Sequence, residues 1–177
     1  MNGRLKFLIR FLALTALLFL VWIPIGEKYL DLLAWVSKYV LLLLGYHVEV
    51  VTGKTLLAMG YNVGASETPF FLCQGVIIGM ESHAQLSNFN LVPLIALILA
   101  TPGVLPMRRV KVLLIGLFIL FCAHIVDLAS HVPMYCGGSE AWETVVIFMS
   151  VSRVAVPFVL WFVLVKREIL GAVRRHE

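Results

Sequence analysis

Long apolar runs separated by short polar clusters dominate the pattern along the chain. A helix needs about 20 predominantly apolar residues to cross a bilayer core roughly 30 Å thick, and several runs approach that length. Pro24 and Gly26 are predicted to end the first helix, and charged residues within 29–44 leave that stretch either spanning the membrane or lying in its interface. The predicted membrane helices cover about 7–25, 29–44 (interfacial or spanning), 91–106, 110–129 and 142–165.

The segment 45–90 follows a different pattern. Apolar Tyr46, Val48 and Val50 alternate with polar residues, and this period of two is typical of a half-buried strand. We predict two or three short strands there, in a β/loop segment on the outer face of the membrane. The predicted fold class is an all-α integral membrane helical bundle of about four to five membrane helices, with a small extracytoplasmic β-hairpin-like segment, in a single domain over 1–177.

Composition strengthens the membrane interpretation. The chain is 61% hydrophobic and only 14% charged, which excludes an ordinary soluble domain. The formal net charge of +4 does not indicate a nucleic-acid partner, because the basic residues flank apolar runs instead of lining one polar face. Cytoplasmic flanks carry the excess of lysine and arginine. The clusters Arg4 to Arg10, Arg108 to Lys111 and Lys166 to Arg175 all lie on the cytoplasmic side if residues 27–90 make no net crossing.

A few ionisable side chains in the predicted spans are candidates for chemistry, since such groups are costly in a membrane. His124, Asp127 and His131 stand at spacings that put them on one helical face. Arg153 lies inside the last predicted span, and Glu143 lies near the outer end of that span. If the two helices are adjacent, Arg153 is predicted to neutralise Asp127 or Glu143.

Cys73, followed by Gln74 and Gly75, is the candidate nucleophile at the outer face. A nucleophilic cysteine needs a lowered pKa, which a nearby histidine, arginine or helix amino terminus supplies, and a glycine permits close approach of a substrate. In this hypothesis the thiolate attacks a carbonyl carbon, a histidine shuttles the proton, and an arginine stabilises the oxyanion, with no cofactor and no metal. The candidate catalytic residues are Cys73, His131, His124, Asp127 and Arg153, and the candidate substrate-binding residues are Gln74, Gly75 and Glu143.

The same residues have simpler interpretations. Cys73 has two alternative interpretations, as a small buried hydrophobic residue and as one half of a disulfide with Cys136. Cys122 is predicted to be a packing residue. The polar helical face is an alternative source of interhelical hydrogen bonds, or of a metal site completed by Glu81 or His83.

Four short motifs occur in a fixed order along the chain. They are Leu44-Gly45-Tyr46-His47-Val48-Glu49-Val50 leading to Gly53-Lys54-Thr55-Leu56-Leu57, then Cys73-Gln74-Gly75, then Pro106-Met107-Arg108-Arg109 before a helix containing Gly116, and last the polar end of that helix. This order, over roughly 41–165, resembles the exosortase and archaeosortase family of membrane cysteine transpeptidase-like enzymes, and the small exosortases in particular.

The resemblance implies that Cys73 is a nucleophile acting on exported proteins that end in a sorting motif, an apolar helix and a basic tail. It also implies a multi-pass protein of a bacterial or archaeal cytoplasmic membrane, with its active face outward. The family's Asn-x-x-Arg appears here as His124-Ile125-Val126-Asp127, without the arginine, and 80–90 looks like an insertion. Two alternatives follow: Arg153 and His131 fill the missing roles, or the chain is a divergent member, such as an assembly or binding subunit.

Overall fold

The computed structural model describes residues 3–64, 66–79 and 88–174, with side chains described up to residue 166 except at residue 88. Its helices and strands confirm the predicted fold class of a helical membrane protein with a small hairpin-like sheet. In chain order they are α1 (Gly3–Leu43), β1 (Glu49–Thr52), α2 (Gly53–Ala58), β2 (Pro69–Cys73), β3 (Val76–Gly79), a 3₁₀ turn (Asn88–Asn90), α3 (Leu91–Ala100), α4 (Pro106–Gly137) and α5 (Glu140–Arg174).

Three of the described helices, α1, α4 and α5, are long and apolar enough to cross a membrane. Their large apolar side chains are widely exposed, as at Leu20 and Ile23 of α1 and at Phe148 and Val151 of α5. In water such continuous apolar surface would favour aggregation, whereas in lipid it is the expected exterior. These helices therefore indicate an association with the bilayer.

The predicted helix break at Pro24 is wrong, because α1 continues through it without interruption. An internal proline removes one backbone hydrogen bond, but unpaired backbone groups cost several kcal/mol each in hydrocarbon, so the rest of the helix persists. Pro133 and Pro157 likewise lie inside α4 and α5. The doubtful stretch 29–44 is the carboxyl half of α1, which at 41 residues is about twice as long as one span requires.

The later helices also end elsewhere than predicted. α3 stops at Ala100 and not at residue 106, because Thr101 is extended with ψ 121° and Gly103 makes a turn with φ 78°. α4 is longer at both ends than the predicted 110–129, and α5 is longer at both ends than the predicted 142–165. Ten-residue α3 is too short to count among the helices that can span by length.

The chain divides into two compact units, and the first comprises Met1–Pro24, Phe89–Leu120 and Ser152–Glu177. Helix α3 is buried along most of its length in this unit. A Cβ added to Gly116 of α4 would lie 3.1 Å from Leu94 of α3, so the missing side chain permits this close helix packing. Near the end of α3, Trp161 Nε1 donates a 2.8 Å hydrogen bond to Thr101 Oγ1.

The second unit comprises Ile25–Asn88 and Phe121–Val151 and contains the sheet. The strands are antiparallel in the order β1-β2-β3. One face of the sheet packs on α1 and α4, and the resulting core cluster comprises Leu30, Ala34, Leu41, Val48, Phe71, Cys73, Ile78, Ala129 and Val132. The prediction of short strands in 45–90 is confirmed. Val48, which the alternating pattern placed on the apolar side, is buried. The short helix α2, capped by the Thr52 side chain, was not predicted.

Candidate functional site

The candidate nucleophile and the two residues after it form a β-hairpin. Cys73 is the last residue of β2 and pairs with Val76, the first residue of β3. The two residues between them, Gln74 and Gly75, both have positive φ, 49° and 84°. That combination defines a two-residue type I′ turn, for which glycine is the favoured second residue. The turn by itself accounts for the glycine of the Cys-x-Gly motif, and both turn residues are exposed to solvent.

The Cys73 side chain points from this turn into the apolar core. Only 2% of the residue is exposed, and it belongs to a core cluster with Phe71 and Ile78 of the sheet and Ala129 of α4. Alternate residues of β2 are buried, so Cys73 shares the inward face with Phe71. This environment agrees with the interpretation of Cys73 as a small buried hydrophobic residue.

Cys136, near the end of α4, is the polar neighbour of Cys73. Its Sγ donates a hydrogen bond of 3.7 Å to the Cys73 backbone carbonyl. Both cysteines are free, so the disulfide considered from the sequence is not formed in this structure. Cys122 is exposed on α4, which makes the prediction that it is a packing residue wrong.

Two glycines fix the end of α4 beside Cys136. A Cβ at Gly137 would lie 3.0 Å from the Tyr46 hydroxyl, so only glycine allows this approach without displacement. Gly138 has φ 59°, the left-handed conformation that ends many helices. The Ser139 amide then donates to the Pro133 carbonyl at 3.5 Å. The position of Cys136 is therefore set by the termination of the helix.

His124 is buried and bonded to the first helix. Its Nδ1 and the Tyr29 hydroxyl are 2.8 Å apart, and the two rings pack edge to face at 5.9 Å. Tyr29 also packs edge-on against Phe121. Sequence reasoning did not identify Tyr29, although a tyrosine in an apolar helix indicates that its hydroxyl has a partner. This contact agrees with the interpretation of the polar face as interhelical hydrogen bonding.

His131 is half-buried and bonded within its own helix. Its Nδ1 lies 2.7 Å from the Asp127 backbone carbonyl. Because a carbonyl only accepts, Nδ1 is the donor in this bond. Asp127 itself is only 7% exposed. The described bonds of the two histidines run to Tyr29 of α1 and to the backbone of α4.

Arg153 and Glu143, the remaining candidates, lie on α5. Arg153 belongs to the first unit, where its backbone carbonyl accepts a 3.3 Å hydrogen bond from Asn90 Nδ2. Glu143 belongs to the second unit and is exposed in the first turn of α5, together with Glu140. An acidic side chain there interacts favourably with the positive end of the helix dipole.

A metal site can be judged only within residues 3–64, 66–79 and 88–166. No group of three His, Cys, Asp or Glu side chains in that part of the chain is arranged to hold a metal ion. Glu81 and His83, which the metal alternative invoked, lie outside the described residues, as does most of the 80–90 insertion.

Comparison with known proteins does not add a family assignment to this geometry. No family model, no curated protein and no solved structure matches the chain.

Proposed function

We propose that the chain is an exosortase-like assembly or binding subunit, which holds the membrane-anchored carboxyl-terminal tails of exported proteins without cutting them. The observation that carries this proposal is the burial of the Cys73 thiol, which is 2% exposed within an apolar cluster. Thioester formation requires a substrate carbonyl within about 3–3.5 Å of the sulfur. A side chain so enclosed leaves no such approach, and buried structural cysteines are generally inert.

The bonding of the two histidines supports the same proposal. A general base must lie within hydrogen-bond reach of the proton that it removes. His124 is bonded to Tyr29, and His131 is bonded to the Asp127 carbonyl. The described hydrogen bond at Cys73 joins its backbone carbonyl to the thiol of Cys136, which is a weak donor.

A cysteine peptidase or transpeptidase is the second candidate, and one feature favours it. The Gln74-Gly75 turn is exposed directly beside the thiol, so opening the end of the β2–β3 hairpin would uncover the sulfur without unfolding the helices. His131 is bonded to the helix backbone through Nδ1 alone in the described contact, so Nε2 is the ring nitrogen that would act as the base. In this candidate the resting enzyme is closed, and a substrate tail opens the hairpin.

One experiment distinguishes the two candidates. The chain is co-expressed with exported proteins of the same cell that end in a short motif, an apolar helix and a basic tail. The subunit proposal expects full-length tails to co-purify with both the wild type and Cys73→Ala. Cleavage by the wild type and by the matched control Cys122→Ala, but not by Cys73→Ala, would instead establish the peptidase. Tails that neither bind nor change length would rule out both candidates.

Both candidates require the site to face outward from the cytoplasmic membrane. The basic residues after Pro106 at the start of α4 support this orientation, since cytoplasmic ends carry the positive charge. In a chain whose three native cysteines are replaced by serine, cysteines are introduced at Met107, which is 85% exposed, and at Ser139, between α4 and α5. In intact cells an impermeant maleimide should label Ser139→Cys and should label Met107→Cys only after permeabilisation. The reverse pattern would contradict the orientation.

A further inference from the structure

We propose that Cys73 and Cys136 form a reversible dithiol–disulfide pair that locks the β2–β3 hairpin to the end of α4 when the protein meets an oxidant. The inference is independent of whether the chain binds or cuts protein tails. It rests on two free thiols that the fold brings together from positions 63 residues apart. Cys122, the third cysteine, is exposed elsewhere on α4 and provides an internal control.

The two cysteines are adjacent in the fold. Cys136 Sγ lies 3.7 Å from the Cys73 carbonyl oxygen, a contact that joins the end of α4 to the end of β2. A disulfide requires the two Cβ atoms to approach to about 3.5–4.5 Å. For the bond to form, the Cys136 side chain must turn from the carbonyl toward the Cys73 side chain.

The backbones on both sides of this contact are fixed by the fold. Cys73 is held by its antiparallel pairing with Val76 and by its place in the core cluster. Cys136 is held by the end of α4, where Gly137 packs against the Tyr46 hydroxyl and Gly138 terminates the helix. The contact between the two cysteines is therefore a property of the folded second unit, and the unfolded chain would not maintain it.

The difference in exposure between the two thiols gives the order of the reaction. Cys136 is partly exposed, whereas Cys73 is buried, so Cys136 meets an external disulfide first. Its thiolate attacks one sulfur of that disulfide, forming a mixed disulfide and releasing one thiol. The Cys73 thiolate then displaces the second thiol. Two electrons pass from the cysteines to the external disulfide, and the two protons that the cysteines lose end on the released thiols.

The consequence of the bond depends on the hairpin. A bond to Cys136 would join the end of the hairpin covalently to the end of α4 and would consume both thiols. Oxidation therefore ties the hairpin to α4, and reduction by an external dithiol releases it.

The test uses the full-length protein in detergent micelles, treated with oxidised glutathione and then with dithiothreitol. After denaturation, maleimide labelling of Cys73 and Cys136 should be lost together, whether or not the exposed Cys122 has been modified, and it should recover on reduction. Peptide mapping should identify a Cys73–Cys136 link. In Cys122→Ser, labelling should disappear entirely on oxidation, which shows that the control thiol takes no part.

Two variants and the mapping can overturn the proposal. In Cys73→Ser, Cys136 should stop at the mixed disulfide with glutathione, because the resolving thiol is absent. If wild-type Cys136 also stops there, or if Cys73 and Cys136 both stay free at an oxidant concentration that modifies Cys122, the pair does not exist. A link from either residue to Cys122 would equally refute it. Tail binding is measured on the reduced protein, so its failure is separate from failure of the disulfide.

Discussion

Phe71→Ala should be the most damaging single change in the second unit, and it should also uncover Cys73. Phe71 is fully buried and lies on the same inward face of β2 as the cysteine. In the sheet it pairs with Val50 on one side and Ile78 on the other. Removing the ring leaves a cavity next to the thiol, in a cluster built from two helices and three strands.

The magnitude follows from burial, and the neighbouring residue supplies a matched control. A fully buried Phe→Ala change costs about 3–5 kcal/mol, from lost transfer free energy and from the cavity. Phe70 points to the opposite face and is half-buried, where it covers Gly79 of β3. Phe70→Ala should therefore cost only about 1 kcal/mol, the size of a cross-strand pair. Both changes delete the same atoms from adjacent positions of one strand. The difference between their effects on the free energy of unfolding therefore measures what burial on the inward face contributes.

Two measurements test this prediction in detergent micelles. The first is the free energy of unfolding from denaturant titration of each variant. The second is the rate at which Cys73 is alkylated in the folded protein, with Cys122 and Cys136 replaced by serine. If Phe71→Ala lowers the free energy of opening the hairpin by about 3 kcal/mol, alkylation of Cys73 should become roughly 100-fold faster. Equal effects of Phe70→Ala and Phe71→Ala, or an unchanged alkylation rate in Phe71→Ala, would refute the burial argument.

Three further predictions use the same unfolding measurement. Gly75→Ala forces an L residue into φ 84° and should cost roughly 1–2 kcal/mol, without placing a new side chain against any neighbour. Tyr29→Phe leaves His124 Nδ1 buried without the hydroxyl, and it should cost about 1–3 kcal/mol. Gly116→Val drives a side chain into Leu94, already 3.1 Å from the Cβ position, and overpacking of this kind should cost about 1–3 kcal/mol.

Each of these changes has a control at an open position. Gly64→Ala meets no neighbour and has no positive φ, Tyr39→Phe is made at an exposed tyrosine, and Leu114→Val is made on an exposed part of α4. All three should change the free energy of unfolding by no more than about 0.5 kcal/mol. A control as costly as its partner would show that the named contact is not the cause.

The apolar helices could be predicted from the sequence because hydrocarbon imposes a strict rule on the backbone. Every buried amide and carbonyl must be paired, so a long apolar run becomes a helix whatever its neighbours are. The same rule explains the error at Pro24, which reads as a helix end in a soluble protein but lies inside α1. Whether a segment forms a membrane helix is therefore set by its local composition, whereas the residues at which the helix ends depend on its surroundings.

The partners of the polar residues could not be predicted, because they come from distant parts of the chain. His124, Asp127 and His131 were correctly placed on one helix, but spacing along a helix says nothing about the opposite surface. The contact of His124 is Tyr29, 95 residues earlier. The contact of Cys73 is Cys136, 63 residues later, and the sequence could offer it only as one of several alternatives.

The Cys-Gln-Gly motif shows most directly where sequence reasoning stops. A glycine after Cys-x is expected both for a nucleophile that a substrate must approach and for the second position of a type I′ turn, and the φ of 84° accounts for Gly75 without any substrate. The direction of the Cys73 side chain distinguishes a nucleophile from a structural turn residue, and that direction depends on the register of β2. A shift of one residue would turn Cys73 outward and Phe70 inward. Because β2 reads Pro-Phe-Phe-Leu-Cys, apolar at every position, the sequence contains no alternation that fixes this register. The inward direction is instead set by pairing with β1 and β3, and it is this pairing that buries the thiol.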